Sequence, residues 1–359
     1  MKKVLITTLQ GDNIGNRLQN YALQRTIEDL GCEAYTAVNT IHEFELLRSK
    51  VKFFVLSTLG RLGVNKYKNY YYRSLRINKY NKFNDRYIHN MVPVEYSNAF
   101  KQNWDSYDYG ITGSDQVWHH WSVKDDELRY FYLEFMDSKK RISYAPSFGF
   151  DKFPERDLNI HNEGIKGIKY LSCRESTGVD LVKSLTGRDA QLVLDPTLLL
   201  KKEDWIEIEK KPEWMTNGKF IVNYFLGNSQ SYKNEINKFA KEKDLQVINV
   251  YDPQSLNSQL ITPDEFIWLV HNSEFVCTDS FHATVFSLIF NKKFLSFRRC
   301  EKGMDKMFDR IENVQNIFGV NRVFDNDISS IERDYQVNSL NEIKCSSIKF
   351  LKNALNLND

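Results

Sequence analysis

Residues 4–38 read VLITTLQGDNIGNRLQNYALQRTIEDLGCEAYTAV, and their hydrophobic pattern indicates the fold class. Val4 to Leu9 is an apolar run of strand length, and a glycine-bearing turn follows it. Asn16 to Leu30 has apolar residues at helical spacing, and Cys32 to Val38 is a second apolar strand. A strand, a helix and a strand in this order form a βαβ unit, which predicts a parallel sheet.

The same alternation continues along the chain in two series. Further strands are predicted at residues 107–112, 141–145, 170–173, 191–194, 220–225, 245–250, 275–278 and 294–297. Between the two series lies Lys210-Lys211-Pro212, the stretch most typical of a linker. We therefore predict an α/β protein with domains at 1–205 and 206–330, followed by a C-terminal helix within 331–359.

The composition is that of a globular protein. The 359 residues include 49 Lys and Arg against 47 Asp and Glu, and 42% are hydrophobic, which excludes a disordered or fibrous chain. No stretch approaches the roughly 18 apolar residues of a membrane helix, and the apolar run after Lys2-Lys3 is too short for a signal peptide. The five cysteines lack CxxC spacing, so disulfides and a structural zinc site are not expected. These features favour the cytoplasm.

Residues Arg48 to Tyr87 break the charge balance. They contain eleven Lys and Arg, a single acid (Asp85) and nine aromatic residues. The segment lies in a predicted insert of about residues 41–103 in the first domain. Three interpretations stay open: a solvated helical insert, a surface for an anionic membrane or lipid phosphate, and a site for single-stranded nucleic acid.

Polar side chains follow several predicted strands of the first series. Ser114, Asp115 and Gln116 follow one strand, Arg174 follows another and Asp195 a third. Ligands of open α/β sheets bind at the carboxyl ends of strands, so these residues indicate a site. Each of these residues also has a structural alternative. Ser114 or Asp115 could cap the next helix. Arg174 could pair with Glu175, and Asp195 could form a turn. The loop at residues 11–17 also presents backbone N–H groups at the start of a helix. It is either an anion site or a plain turn.

The sharpest candidate in the second series is Thr278-Asp279-Ser280-Phe281-His282. An apolar strand ends there, and His282 begins an apolar helix, where it could act as a proton donor. Four cations follow the next strand and suit a small, highly charged ligand: Arg298, Arg299, Lys306 and Arg310. His119-His120 with Asp125-Asp126 fits no standard metal spacing, so we predict no metal site.

Six motifs occur in an order that resembles one family, the bacterial polysaccharide pyruvyl transferases. They are Asn16–Gln24, Gly113–Trp118, Ser143–Gly149, Arg174-Glu175, Leu194–Thr197 and Thr278–His282. The resemblance runs from the first strand to about residue 322 and omits the basic segment and the last helix. The sequence departs from the family pattern at Ala283, Cys173 and Asp309-Arg310, where Gly, an aliphatic residue and Ser-Arg are usual.

The resemblance implies two Rossmann-like domains facing a cleft, similar to the GT-B glycosyltransferases. It also implies transfer of the enolpyruvyl unit of phosphoenolpyruvate to a sugar, giving a pyruvate ketal in a capsule or exopolysaccharide. By resemblance, His282 is the general acid and Arg174 binds the donor. The resemblance implies phosphoenolpyruvate as a co-substrate and implies no metal or organic cofactor.

The other roles are predicted from these two assignments. Asp115 would deprotonate the sugar hydroxyl. Further donor-binding residues are predicted at Ser280, Phe281, Arg298 and Arg310, and acceptor-binding residues at Asn16, Arg17, Ser114 and Gln116. The acceptor is expected to be linked to polyprenyl diphosphate, with residues 48–87 contacting the inner membrane from the cytoplasm and no nucleic acid bound. A glycosyltransferase that uses a nucleotide sugar, and a non-catalytic binding protein, are the alternatives.

Overall fold

The computed structural model describes residues 1–11, 13–39, 43–120, 124–251, 260–299 and 305–357. The strands are β1 Lys3–Thr7, β2 Glu33–Asn39, β3 Met91–Val94, β4 Tyr109–Thr112, β5 Arg141–Ser143, β6 Ser172–Cys173, β7 Gln191–Leu192, β8 Phe220–Tyr224, β9 Gln246–Tyr251, β10 Phe275–Thr278 and β11 Lys293–Ser296. The α-helices are α1 Ile14–Asp29, α2 Glu43–Arg61, α3 Lys68–Tyr87, α4 Tyr96–Ala99, α5 Asp125–Phe131, α6 Leu158–Gly167, α7 Ser176–Thr186, α8 Lys202–Ile208, α9 Gln230–Glu242, α10 Pro263–Asn272, α11 Phe281–Ile289, α12 Asp305–Ile317 and α13 Asn341–Ala354.

The chain divides into two compact units. The first contains residues 1–52, 84–200 and 341–359, and the second contains residues 53–83 and 201–340. The last helix, α13, therefore belongs to the first unit. Each unit is built on a parallel sheet with helices between its strands, which confirms the predicted α/β class.

The sheet of the first unit has the strand order β3-β2-β1-β4-β5. All of its pairs are parallel, with Val4 of β1 opposite Ala34 on β2 and Tyr109 on β4. A bridge between Ile142 and Tyr170 leads from β5 towards the parallel pair β6-β7. The direction of strand succession reverses between β1 and β4, the position where open α/β sheets bind ligands.

Helix α1 has clear start and stop signals in the sequence. The side chain of Asn13 caps its first turn by accepting the Gly15 N–H at 2.8 Å. Its apolar face, with Leu18, Leu23 and Ile27, is buried. Gly31 follows the helix with a φ of +81°, a conformation that glycine adopts without strain. Because β1 and β2 pair in parallel across this helix, the predicted βαβ unit is confirmed.

The sheet of the second unit has the order β11-β10-β8-β9, again in parallel. Here the strand succession reverses between β8 and β10. A buried cluster that includes Phe225, Phe239, Cys277, Leu295 and Phe297 packs within this unit. The ends of β8 and β10 are thus held on a rigid core.

The predicted insert at 41–103 is largely helical, since it contains α2 and α3. It also contains β3, which pairs with β2. This strand was missed because it has four residues and includes Pro93, which is tolerated at a sheet edge but is atypical of strands. Within the described ranges, no helix has both the length and the apolar character needed to span a membrane.

Candidate functional site

In the first unit, a glycine after β4 lets the backbone pass close to the neighbouring segment. Gly113 has a φ of +120°, and a Cβ there would lie 2.0 Å from the carbonyl oxygen of Tyr144. Next to it, the Ser114 N–H donates to Gln19 Oε1 at 2.9 Å. The Ser114 hydroxyl donates to the carbonyl of Ala145 at 2.7 Å. The polar groups that follow β4 are therefore held at the carboxyl end of the sheet, beside β1.

A buried network of polar side chains fills this end of the first sheet. Asn16 Nδ2 donates to Asp115 Oδ2 at 2.6 Å. The guanidinium of Arg174 donates to Asp195 Oδ2 at 2.8 Å and to Asp115 Oδ1 at 3.4 Å. Asp195 also accepts from the N–H and the hydroxyl of Thr197. The sequence brings residues from four separate segments into one hydrogen-bonded cluster.

This cluster carries more negative than positive charge. Glu175 lies 3.5 Å from Arg174 Nε, so Arg174 faces three carboxylates, and its side chain is only 3% exposed. Burial lowers the pKa of Arg174, but Asp115, Asp195 and Glu175 more than offset this and raise it. The guanidinium therefore neutralises carboxylates of the protein itself.

These contacts bear on four predicted site residues. Asn16, Ser114, Asp115 and Arg174 do lie together, as predicted for one sheet edge. The pairing of Arg174 with internal carboxylates matches the structural alternative raised from the sequence, extended from Glu175 to two aspartates. Asp115 is 7% exposed and accepts hydrogen bonds from a guanidinium and from an amide. The roles of Arg174 in donor binding and of Asp115 as a base stay predictions.

Two other predicted acceptor residues lie beside this cluster but have different partners. Arg17 is buried on α1 and its guanidinium donates to Gln10 Oε1. The amide of Gln116 lies over Gly149, where a Cβ would come within 2.1 Å of Gln116 Nε2. Gly149, with a φ of +71°, leaves room for this amide.

In the second unit, Asp279 follows β10 and its carboxylate is held from both of its neighbouring strands. Oδ1 accepts the Leu226 N–H at 2.7 Å, and Oδ2 accepts the Gly227 N–H at 2.8 Å and Arg299 Nε at 3.1 Å. Leu226 and Gly227 follow β8, whereas Arg299 follows β11. Burial raises the pKa of Asp279, although Arg299 and the two amides act in the opposite direction. Asp279 thus ties three strand ends together where the strand succession reverses.

His282 lies directly after this anchor, in the first turn of α11. Ser280 is the N-cap of the helix, and its own N–H donates to Thr278 Oγ1 at 3.0 Å. The rings of Phe281 and His282 meet edge to face at 5.2 Å, and His282 is only 4% exposed. The N–H groups at the start of a helix attract anions, so His282 lies at a position where a helix can bind an anion.

The two adjacent arginines after β11 point in different directions. Arg299 donates to Asp279, and its side chain is 13% exposed. Arg298 is 50% exposed, pairs with Glu312 and lies 4.4 Å from the ring centre of Phe308. Consecutive side chains in extended backbone point to opposite sides, which explains the divergence. Arg299 therefore binds the aspartate that precedes α11, whereas Arg298 packs against α12.

Two further predicted cations and two histidines considered for metal binding remain to be located in the fold. Arg310 is half-buried on α12, while the side chain of Lys306 lies outside the described residues. His119 and His120 turn to separate partners, the carbonyl of Phe148 and the carboxylate of Asp157. In the part of the chain that the structure describes, no group of three or more potential ligands is arranged to hold a metal ion.

Sequence comparison decides the family. The family model described as polysaccharide pyruvyl transferase matches residues 13–301, most of the chain. The chain belongs to this family. Every predicted site residue of this pyruvyl transferase family member except Arg310 falls inside the matched range. None of the curated proteins matches its sequence.

Several solved structures have a fold similar to that of this family member. The UDP-GlcNAc 2-epimerase of Methanocaldococcus jannaschii is 12% identical, with a TM-score of 0.52 over 99% of this chain and 93% of the other. MnaA of S. aureus, solved with UDP, is 12% identical, with a TM-score of 0.52 over 100% and 98%. The UDP-N-acetylglucosamine 2-epimerase of Rickettsia bellii is 10% identical, with a TM-score of 0.51 over 99% and 97%. At this identity the likeness concerns the fold alone, and it confirms the prediction of two Rossmann-like domains of the GT-B type.

Family membership gives the general function. The protein is a transferase of polysaccharide biosynthesis, and its acceptor is a sugar. The sequence predicts both strand ends that carry the clusters and places Arg299 among four cations, but it indicates Arg298 as the donor ligand. The signal that separates them is Asp279, which follows the neighbouring strand and binds Arg299.

Proposed function

We propose that this pyruvyl transferase family member moves the enolpyruvyl unit of phosphoenolpyruvate onto two hydroxyls of one sugar and releases inorganic phosphate. The observation that supports this best is the β10–α11 junction, where Asp279 binds Arg299 and His282 follows three residues later in the first turn of α11. A cation, a helix start and a buried histidine suit a small anion whose reaction begins with a protonation.

The donor would be held mainly by the second unit. Phosphoenolpyruvate carries a phosphate and a carboxylate, and both match the first N–H groups of α11 and the guanidinium of Arg299. Ser280, Phe281 and Arg310 complete the proposed donor set. Arg174 and Arg298 stay in it with less support, because Arg174 faces three carboxylates of the protein and Arg298 lies against Glu312 and Phe308.

The reaction follows from the chemistry of the enol phosphate. His282, in its charged form, would protonate C3 and turn the methylene into a methyl group, which makes C2 electrophilic. The first sugar hydroxyl adds to C2 and loses its proton, and phosphate leaves with the C–O bonding electrons. A second hydroxyl of the same sugar then adds to C2 and loses its proton, which closes the ketal. Arg299 would stabilise the charge that develops on the leaving phosphate.

The acceptor side of the proposal rests on the first unit. Asp115 is the proposed base, and the proposed acceptor residues are Asn16, Arg17, Ser114 and Gln116. We further propose that the sugar belongs to a repeat unit linked to polyprenyl diphosphate and that the enzyme acts in the cytoplasm. Proton transfer and cationic side chains suffice for every step, so no metal or organic cofactor is proposed.

Transfer of label from the donor tests this function. Phosphoenolpyruvate labelled in its enolpyruvyl carbons is incubated with the full-length protein and a lipid-linked oligosaccharide extract. We expect label in the saccharide fraction, with one phosphate released for each label transferred. His282→Gln should lower the transfer rate at least ~100-fold, the usual contribution of a general acid, and still bind phosphoenolpyruvate.

The matched control is His89→Gln, which changes an exposed histidine away from both clusters. It should transfer label at the rate of the unmodified protein. Phosphate release without labelled saccharide, or full activity of His282→Gln, would contradict the proposed function.

A further inference from the structure

Residues 51–87 form a helical hairpin, here called the basic hairpin. It consists of the C-terminal part of α2, a turn at Leu62-Gly63-Val64 and helix α3. The helices meet closely at the turn, where a Cβ on Gly60 would lie 2.3 Å from the carbonyl oxygen of Tyr67. Phe53 and Tyr70 contact each other edge to face across the hairpin at 6.3 Å.

One face of α2 exposes apolar side chains. Val51, Phe54, Val55 and Leu62 fall within roughly 100° of arc at 100° per residue, and Phe54 and Leu62 are 71% and 75% exposed. Val64 continues this surface at the turn, with 41% of its side chain exposed. A contiguous exposed apolar stripe that ends at a turn is unusual on a water-facing surface and marks an interaction site.

Cations flank the stripe. By helical position, Lys52 lies on one side of it and Arg61 on the other, and both are exposed. The hairpin contains nine Lys and Arg and one acid, Asp85. An apolar stripe between cations is the pattern of a helix that lies in the interface of an anionic bilayer.

We propose that the basic hairpin docks this protein on an anionic lipid surface, with Leu62 and Val64 entering the headgroup region. A second copy of the chain fits less well, because two hairpins of the same strong positive charge repel each other. Nucleic acid fits less well too, since its single strands bind cations and stacked aromatic rings, whereas the exposed stripe is mainly aliphatic. The inference does not depend on the proposed reaction.

Co-sedimentation with vesicles tests the docking surface. The full-length protein is mixed with phosphatidylcholine vesicles and with vesicles that contain about one-third phosphatidylglycerol. We expect at least about tenfold tighter binding to the second kind, and weaker binding as salt is raised. Leu62→Ser combined with Val64→Ser should abolish most of this binding.

The control is Leu158→Ser combined with Val337→Ser, which removes two exposed apolar side chains elsewhere and should bind vesicles normally. Circular dichroism and phosphoenolpyruvate affinity should match those of the unmodified protein in both double variants, which separates docking from catalysis. Absent vesicle binding, or binding unchanged by Leu62→Ser with Val64→Ser, would overturn the proposal. So would tight binding of a labelled single-stranded oligonucleotide, or a dimer in sedimentation that these substitutions dissociate.

Discussion

In each unit an aspartate follows a strand next to the reversal of strand succession and pairs with an arginine, but the two pairs have different surroundings. In the first unit, Arg174 faces three carboxylates and is almost completely buried. In the second unit, two backbone N–H groups already bind Asp279, and Arg299 joins them from a more exposed position. A histidine at a helix start follows only the second aspartate.

The comparison shows that position in the fold does not by itself determine the role of an ion pair. Breaking a buried pair leaves uncompensated charges in the core, so such a pair acts chiefly on folding. An arginine oriented by one aspartate at a helix start can instead meet a ligand anion. We therefore propose a framework role for Arg174, which acts chiefly on folding, and donor binding for Arg299.

The largest expected effect is on the first cluster. Arg174→Ala removes the cation that three buried carboxylates share, and should lower the free energy of unfolding by about 3–5 kcal/mol. Urea denaturation measures this. The control is Lys183→Ala on α7, whose exposed pair with Asp189 should contribute at most about 1 kcal/mol. Equal stability of the two variants would refute the framework role of Arg174.

A second test contrasts the histidines of the two units. Burial lowers the pKa of His161 in the first unit to about 4, and the hydroxyl of Tyr132 lies 2.7 Å from its Nδ1. The unfolded chain, with a histidine pKa near 6.5, takes up the proton first, so His161 lowers stability as the pH falls from about 6.5 to about 4. The loss should reach about 2–3 kcal/mol.

Urea denaturation at several pH values checks this loss. His161→Gln should flatten the slope in that window, while His282→Gln should leave it in place and abolish transfer. Identical slopes for His161→Gln and the unmodified protein would show that His161 does not titrate with unfolding.

The third prediction concerns the adjacent arginines. Arg299→Ala should weaken phosphoenolpyruvate binding by roughly 10- to 100-fold, the loss of a charge-assisted hydrogen bond worth about 1.5–3 kcal/mol. Arg298→Ala is the matched control and should change affinity less than about threefold, because its guanidinium lies against Phe308 and Glu312. Calorimetric titration gives both values. A larger effect at Arg298 would reverse the assignment.

The smallest expected changes in stability are those of two serine variants, at Ser114 after β4 and at Ser280 before α11. Ser114→Ala removes the hydroxyl bond to Ala145 and should cost about 1 kcal/mol of stability without changing donor affinity. Among the described residues the Ser280 side chain makes no capping hydrogen bond, so Ser280→Ala should change stability by less than about 0.5 kcal/mol but weaken donor binding. Thermal unfolding and titration of both variants test this pair.

The sequence was sufficient to predict the parallel α/β class and the strand ends that carry polar residues. Hydrophobic periodicity marks each strand and helix, and a Gly or Asp residue marks where a strand ends, so both can be recognised from neighbouring residues alone. Two findings depended on tertiary contacts and could not be predicted from it. The partners of Arg174 are Asp115 and Asp195, which lie 59 and 21 residues away along the chain. The choice of Arg299 over Arg298 depends on Asp279 from a neighbouring strand.

Calorimetric titration of the full-length protein with phosphoenolpyruvate and, separately, with UDP tests the proposed donor directly. We predict saturable binding of phosphoenolpyruvate that Arg299→Ala weakens at least about tenfold, and no binding of UDP. Binding of UDP without binding of phosphoenolpyruvate would refute the proposed donor and favour an enzyme that uses a nucleotide sugar. Phosphoenolpyruvate binding that Arg299→Ala leaves unchanged would contradict the assignment of the donor site to the β10–α11 junction.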